Sequence, residues 1–303
     1  MKKRIMLTTV LLLIVSLPVW PIETQTQFFG THAFGIFNDN FIFSDAMGFS
    51  YVKNDLSIAI YATRTSVPLS RVQSDLDSSN FISKIPDGNG RATYLFENSR
   101  AGIRTVRYLL PLGNEIESAV VTGIILNSTN IESSRSEILE LLGKVSWEEN
   151  SSLNFEGAQF FDSIPTLDLS PALILGNRIF YTPNGKFDSE TKFQVYFGKN
   201  HLAPIYRDGK NGFYDYFLKV ESQGVTPADV EVKDIAIDSV KGKEFSYSYS
   251  QGDQTTKKII SVIVIGDFMY FIGEESTDRQ FDNRLEEYDK IIDKFHLKDT
   301  KEK

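Results

Sequence analysis

Lys258–Leu297 reads KIISVIVIGDFMYFIGEESTDRQFDNRLEEYDKIIDKFHL, and its reading decides the fold. Ile259–Ile265 is a run of β-branched residues, stiff at χ1 and suited to a strand rather than a helix. Gly266-Asp267 is a turn pair, and Phe268–Ile272 is the return strand. Both strands are almost wholly apolar, which predicts a central place in a sheet covered on both faces. Ser276, Thr277 and Asp278 can each cap a following helix. In that helix Phe281, Leu285, Tyr288, Ile292 and Phe295 form one apolar stripe, with Asp, Glu, Arg and Lys on the other side.

Working outward, composition narrows the class. The chain has 303 residues, enough for roughly two domains, and 41% hydrophobic and 13% aromatic content is ample for packed cores. A formal charge of −8, with no basic run beyond the N-terminus, argues against nucleic acid as a partner. Cysteine is absent, so there is no disulfide, thiolate nucleophile, Cys-ligated metal or lipobox cysteine. His32, His201 and His296 lie far apart without metal-ligand spacing, and no metal or cofactor is expected.

Residues 1–26 read as a secretory signal peptide. Lys2, Lys3 and Arg4 precede the apolar stretch Met6–Leu17, which Pro18 ends. That stretch is shorter than the roughly 17–25 residues of a spanning helix, so no membrane span is expected in the mature chain. The expected divisions are a first domain at 27–150, a second at 151–298 and a charged tail at 299–303. In the first domain, 40–52 and 55–63 read as paired strands, and 70–82 as a short helix. Strands follow at 92–97, 102–110 and 117–127. Ser134-x-x-Glu137 then has the form of a capping box before a helix with Ile138, Leu141, Leu142 and Val145 inward. In the second domain, 172–182 and 192–197 read as strands, 212–221 as a helix, and 230–237 and 242–250 as strands ahead of the closing unit.

The two halves repeat one order: a hairpin, a short helix, long antiparallel strands and an amphipathic helix ending in an aromatic. Gly102–Val106 stands against Gly242–Ser246, Ala119–Leu126 against Ile259–Ile265, and Ile131–Trp147 against Thr277–Phe295. The fold class expected is therefore α+β: two tandem domains, each an antiparallel sheet flanked by helices with a C-terminal amphipathic helix. This order, ending in a strand pair, a loop and an amphipathic helix, resembles the PsbP-like and DcrB-like αβα sandwich domains. The resemblance implies binding or assembly outside the cytoplasm, and it carries over no catalytic residues.

No nucleophile elbow, P-loop or Rossmann fingerprint occurs. Glu274, Glu275 and Asp278 are the densest acidic group, read as a solvated loop with a helix cap. Phe245, Tyr247 and Tyr249 alternate with Ser246, Ser248 and Ser250, which puts the aromatics on one sheet face. Tyr206, Tyr214, Tyr247 and Tyr249 are the candidate ligand-binding residues, against the alternative that the aromatic face packs under a helix. The leading expectation is an exported, non-enzymatic protein, periplasmic or extracellular, that binds an unknown protein or envelope ligand through loops or an interdomain cleft. The alternatives are a secreted hydrolase using two carboxylates and a small-ligand carrier built on Phe245–Tyr249.

Overall fold

A computed structural model describes residues 23–44, 48–79, 82–86, 89–100, 103–126, 131–155, 158, 161, 169–187, 193–251, 254–277 and 281–297. The N-terminal region contributes β1 (Thr24–Gln27) and β2 (Ala33–Phe37). The first domain continues with β3 (Phe41–Ser44), β4 (Ser50–Lys53), β5 (Ile58–Thr65), α1 (Leu69–Asp77), β6 (Ile82–Pro86), β7 (Ala92–Arg100), β8 (Ile103–Gly113), β9 (Ser118–Ile125), α2 (Ile131–Gly143) and β10 (Ser146–Trp147). The second contains β11 (Ser170–Leu175), β12 (Arg178–Thr182), β13 (Phe193–His201), a 3-10 segment (Pro204–Gly209) and α3 (Phe213–Glu221). It ends with β14 (Ala228–Ile237), β15 (Val240–Gln251), β16 (Gln254–Ile265), β17 (Phe268–Ser276) and α4 (Phe281–Lys294).

Two seven-stranded sheets result, ordered β3-β4-β5-β9-β8-β7-β6 and β11-β12-β13-β17-β16-β15-β14. Position for position these are one topology. Each domain is an antiparallel sheet with a short helix inserted after its third strand and a longer helix after its last. The architecture is thus α+β, with two sheet domains, as the order of elements predicts. A third sheet, β1-β2-β10, lies beside the first domain. Among the described residues no helix is long and apolar enough to cross a membrane.

The closing unit forms as strand, turn, strand and helix. Of the predicted stripe Tyr288 and Phe295 are buried, Ile292 is partly buried beside the fully buried Ile291, and the side chains of Phe281 and Leu285 lie outside the described set. Ser276 ends β17 instead of capping the helix. β16 and β17 are interior strands, buried on both faces through most of their length. α4 buries Tyr288, Ile291 and Phe295 against one face, with Phe161, Phe197, Ile259 and Ile263 in the same core. The Tyr288 hydroxyl reaches through that core, donating to the Ile272 carbonyl at 2.8 Å, with the Ser261 Oγ 2.9 Å away. On the opposite face α3 covers a second core containing Phe213, Phe217, Phe245, Ile260 and Phe271. Two glycines make that face possible. A Cβ on Gly273 would come within 2.1 Å of the Tyr196 ring, and one on Gly198 within 2.0 Å of Phe271. Each ring therefore lies across the neighbouring strand's glycine, which pins the register between β13 and β17.

Several elements depart from the sequence reading. The stretches 40–52 and 172–182 each hold two short antiparallel strands instead of one, the second pair turning at Gly176-Asn177 between two apolar runs. The predicted helix at 70–82 spans Leu69–Asp77 and buries no residue. The capping-box reading is overturned: α2 begins at Ile131, so Ser134 sits inside the helix, buried, and Glu137 pairs with Lys53 at 2.7 Å. β17 continues to Ser276 because it pairs with β13 on one side and β16 on the other. The acidic residues Glu274 and Glu275 therefore lie on a strand rather than in a solvated loop; Asp278 lies outside the described residues. The halves also align one strand further along than their sequences suggest, with β9 corresponding to β17 and β8 to β16.

The domains are joined through an aromatic seam. Phe49 comes from the first domain, before β4, yet is 4% exposed within the core of the second. Phe43 stands between them, its ring centroid 4.8 Å from Phe29 and 6.5 Å from Phe49. On the far side of the junction, His32 bridges Ser151 Oγ and Glu117 Oε1, each at 3.0 Å, and Glu117 pairs in turn with Arg64. Replacing Phe49 with Ala should destabilise the protein by about 3–5 kcal/mol, the usual range for emptying a core aromatic site. Urea unfolding should also separate into two transitions as the domains uncouple. A loss below about 1 kcal/mol with one retained transition would mean that the seam is not a shared core.

Candidate functional site

The cleft between the domains is built from strands whose residues alternate. On β5, Ile58, Ile60 and Ala62 face the first core, so Tyr61, Thr63 and Thr65 point the other way. Opposite them stand β11, with Leu173 and Leu175, and β12, with Arg178 and Phe180. The space contains a cavity of about 540 Å³ lined by Tyr61, Thr63, Leu175, Asn177, Arg178 and Asn200, among others. A second, of about 250 Å³, continues along Thr65, Ser66, Leu173 and Phe187. Arg64 Nη1 donates to the Ala172 carbonyl at 3.4 Å and Ser66 Oγ to the Phe187 carbonyl at 3.2 Å, so both domains hold the walls. Leu175 is 48% exposed, leaving an apolar surface among hydroxyl and amide groups.

Beneath the cleft lies a charged cluster. Arg178 and Lys258 both pair with Glu221, the last residue of α3, with Lys258 Nζ at 3.1 Å. The side chains of Lys258 and Glu221 are only 8% and 6% exposed, so this pair is desolvated. The Arg178 guanidinium lies 5.0 Å from the ring centroids of both Tyr196 and Phe271, a cation–π arrangement. Burial works to lower the Lys258 pKa, but the charge of Glu221 and its neighbours outweighs it and the ammonium ends above its ordinary range. Arg178 follows the same pattern. The Tyr196 hydroxyl sits within this group, buried and without a hydrogen-bond partner among the described residues, and its pKa is pushed well up by burial and by Glu221.

The four candidate tyrosines fall at opposite ends of α3. Tyr206 and Tyr214 pack around its N-terminus, where Tyr206 stacks on Tyr216 at 4.8 Å and Tyr214 lies 5.3 Å from Phe213. Tyr247 and Tyr249 lie at the other end, 6.3 Å apart. Tyr247 is buried and its hydroxyl donates to the Glu221 carbonyl at 3.4 Å. Tyr249 is half-buried and donates to Glu275 at 2.8 Å. The structure does not gather the four around one cavity. Of the four, Tyr247 lines a groove of about 710 Å³ along β14, together with Ser246, Ser248, Glu231, Lys233 and Glu244. Its polar groups are largely mutually engaged: Glu244 accepts from Lys233 at 2.7 Å and from Ser261 at 3.0 Å.

Arg178, Glu221 and Lys258 were not singled out from sequence, since they come from three distant elements. A signal existed: alternation along β16 puts Lys258 on the face of Ile260 and Val262, and a lysine there needs a buried partner. Among the described residues no group of three or more His, Cys, Asp or Glu side chains could hold a metal ion.

Removing the shared carboxylate by Glu221→Ala should cost about 3–5 kcal/mol, because two cations lose the carboxylate they are paired with. Glu221→Met with Lys258→Met should recover much of that loss in urea unfolding; no recovery would show that the charges are not coupled. Alkali should act on the same face. Burial raises Tyr247 and Tyr249 from 10.0 to about 12. Their phenols stay protonated in the fold while the unfolded chain ionises, so the stability they contribute is intact below pH 10 and falls as pH rises towards 12. Phenolate absorbance of folded and unfolded protein checks this, and coincident titrations would contradict it.

No family model matches the sequence, and no curated protein does. Among solved structures, the chain is similar to the apo immunity protein TplEi of T6SS from Pseudomonas aeruginosa, with 11% identity, 91% of this chain and 97% of that chain covered, and a TM-score of 0.33. It is similar to cyanobacterial PsbP (CyanoP) from Synechocystis, with 12% identity, 43% and 76% covered, and a TM-score of 0.31. It is also similar to a chain of the Tle4-Tli4 complex, with 11% identity, 91% and 97% covered, and a TM-score of 0.29. With TM-scores below 0.5 these are coarse resemblances of fold, and the roles of those proteins do not transfer through them.

Proposed function

We propose that this chain is an exported, non-enzymatic binding protein of the bacterial envelope or exterior, which takes a protein partner or an envelope component in the cleft between domains 27–150 and 151–298. The observation that carries this reading is the cleft itself, where Leu175 and Phe180 offer apolar surface and Thr63, Asn177 and Asn200 offer neutral polar groups. A concave, mostly apolar site with a few convergent polar groups suits recognition. Binding is favoured over hydrolysis because two of the buried acids, Glu221 and Glu244, are held in ion pairs with Arg178, Lys258 and Lys233. The charged n-region and short apolar stretch at 1–26 support export. The sequence of the mature N-terminus reads that step directly; because Thr24–Gln27 pairs with β2, cleavage that keeps β1 whole falls before Thr24, short of the boundary at 26.

Filling the cleft tests the site. Thr63→Trp should lower capture of the partner from the native envelope fraction by about tenfold or more. Lys241→Ala, exposed on β15 beside the β14–β15 turn, should leave capture unchanged. Equal capture by Thr63→Trp and the unaltered protein would place the binding surface elsewhere.

A further inference from the structure

The outer strands of the two sheets differ in one respect. β3, β6 and β11 have four, five and six residues, and β6 ends in Pro86. Short strands and proline are the usual means of guarding an edge. β14 has ten residues and is exposed over most of its length, including Val230 at 42% and Val232 at 51%. Among the described residues no strand pairs with its outer side.

The hairpin fixes which backbone groups are available. β14 joins β15 through Asp238 and Ser239, at φ +51° and +67°, a two-residue turn that sets Ile237 opposite Val240. The residues flanking such a turn form a hydrogen-bonded pair, and bonded and non-bonded pairs alternate from there. Ile235, Lys233 and Glu231 therefore direct their N–H and C=O groups to β15. Val232 and Asp234 direct theirs outward, open to an added strand.

We propose that this strand is β14 of a second copy of the chain, antiparallel to the first about a two-fold axis at Val232. In this register Val232 faces Val232, and Glu231 of each copy faces Lys233 of the other. The strand's sequence is self-complementary only there. An axis one residue to either side sets Glu231 against Glu231 or Lys233 against Lys233. An axis between residues opposes an outward-bonding residue to an inward-bonding one and forms no ladder. Lys233 already bonds Glu244, and Glu244 accepts from Ser261, so the second copy's Glu231 would extend an existing chain of polar contacts. The partner strand would also wall the open side of the groove of about 710 Å³ along β14. The irregular register at 228–231 and the positive φ of Asp229 end the pairable stretch on one side. The contact is small against the roughly 1,200–2,000 Å² of a stable interface, so the dimer depends on concentration.

Sedimentation velocity should show monomer–dimer exchange that strengthens with concentration. Glu231→Lys should weaken it about tenfold or more. Val232→Pro removes only an outward N–H, so it should abolish the dimer while leaving circular dichroism and the unfolding midpoint unchanged. Because the chain has no cysteine, register can be read directly. Oxidising a mixture of Glu231→Cys and Lys233→Cys proteins should give a cross-linked pair, since directly opposed non-bonded positions meet disulfide geometry, whereas Glu231→Cys alone should not. A monomer at concentrations up to about 1 mM, a dimer indifferent to Val232→Pro, or equal cross-linking of Glu231→Cys with itself would overturn the proposal.

Discussion

One desolvated carboxylate ties the second domain together. Glu221 ends α3, and its two oxygens meet Arg178 on β12 and Lys258 on β16, strands separated in the sheet by β13 and β17. A buried charge of this kind is expensive to isolate and holds position only while both partners are present. Its effect is to fix the helix's end over the sheet, to hold Arg178 against Tyr196 and Phe271, and so to set the floor of the interdomain cleft. Among the described residues, the short helix of the first domain has no such seat. α1 buries no residue, and its contact to the sheet includes an exposed Lys84–Asp77 pair.

The two domains share one topology and differ where a surface can be used. In the first, the strand after the short helix is cut to five residues ending in proline; in the second, it is twice as long and exposed. In the first, the opening hairpin sends Phe49 outward into its neighbour's core; in the second, the corresponding hairpin lines the cleft with Leu175 and Arg178. Repetition supplies the scaffold, and departures from it supply the cleft and the open edge.

What was legible in the sequence was local. The β-branched run at Ile259–Ile265 and the stripe through Tyr288 and Phe295 gave a central strand and a packed helix, because periodicity reports burial directly. The order of elements gave the α+β class and the repetition. What was hidden depended on pairing. The hairpin turn at Gly176-Asn177 is short, and with Arg178 it lies between the apolar runs Leu173–Leu175 and Ile179–Tyr181, so the whole reads as one strand. Glu274 reads as solvent-facing from its charge, yet a strand paired on both sides carries it into the interior at 1% exposure. The alternating aromatics of Phe245–Tyr249 fixed a face but not its cover, and only the position of α3 shows Phe245 and Tyr247 beneath it. The cleft needs both domains, and no spacing within either encodes it.

The strand order has a consequence for how the chain can be made. In each sheet the last strand in sequence is the middle one, with β9 between β5 and β8 and β17 between β13 and β16. Until that strand has been synthesised, each domain is two three-stranded fragments whose innermost strands are unpaired along one edge. The keystone arrives last, so neither half can close early on a growing chain, and loss of the final 40 or so residues removes the joining strand of the second domain rather than trimming its margin.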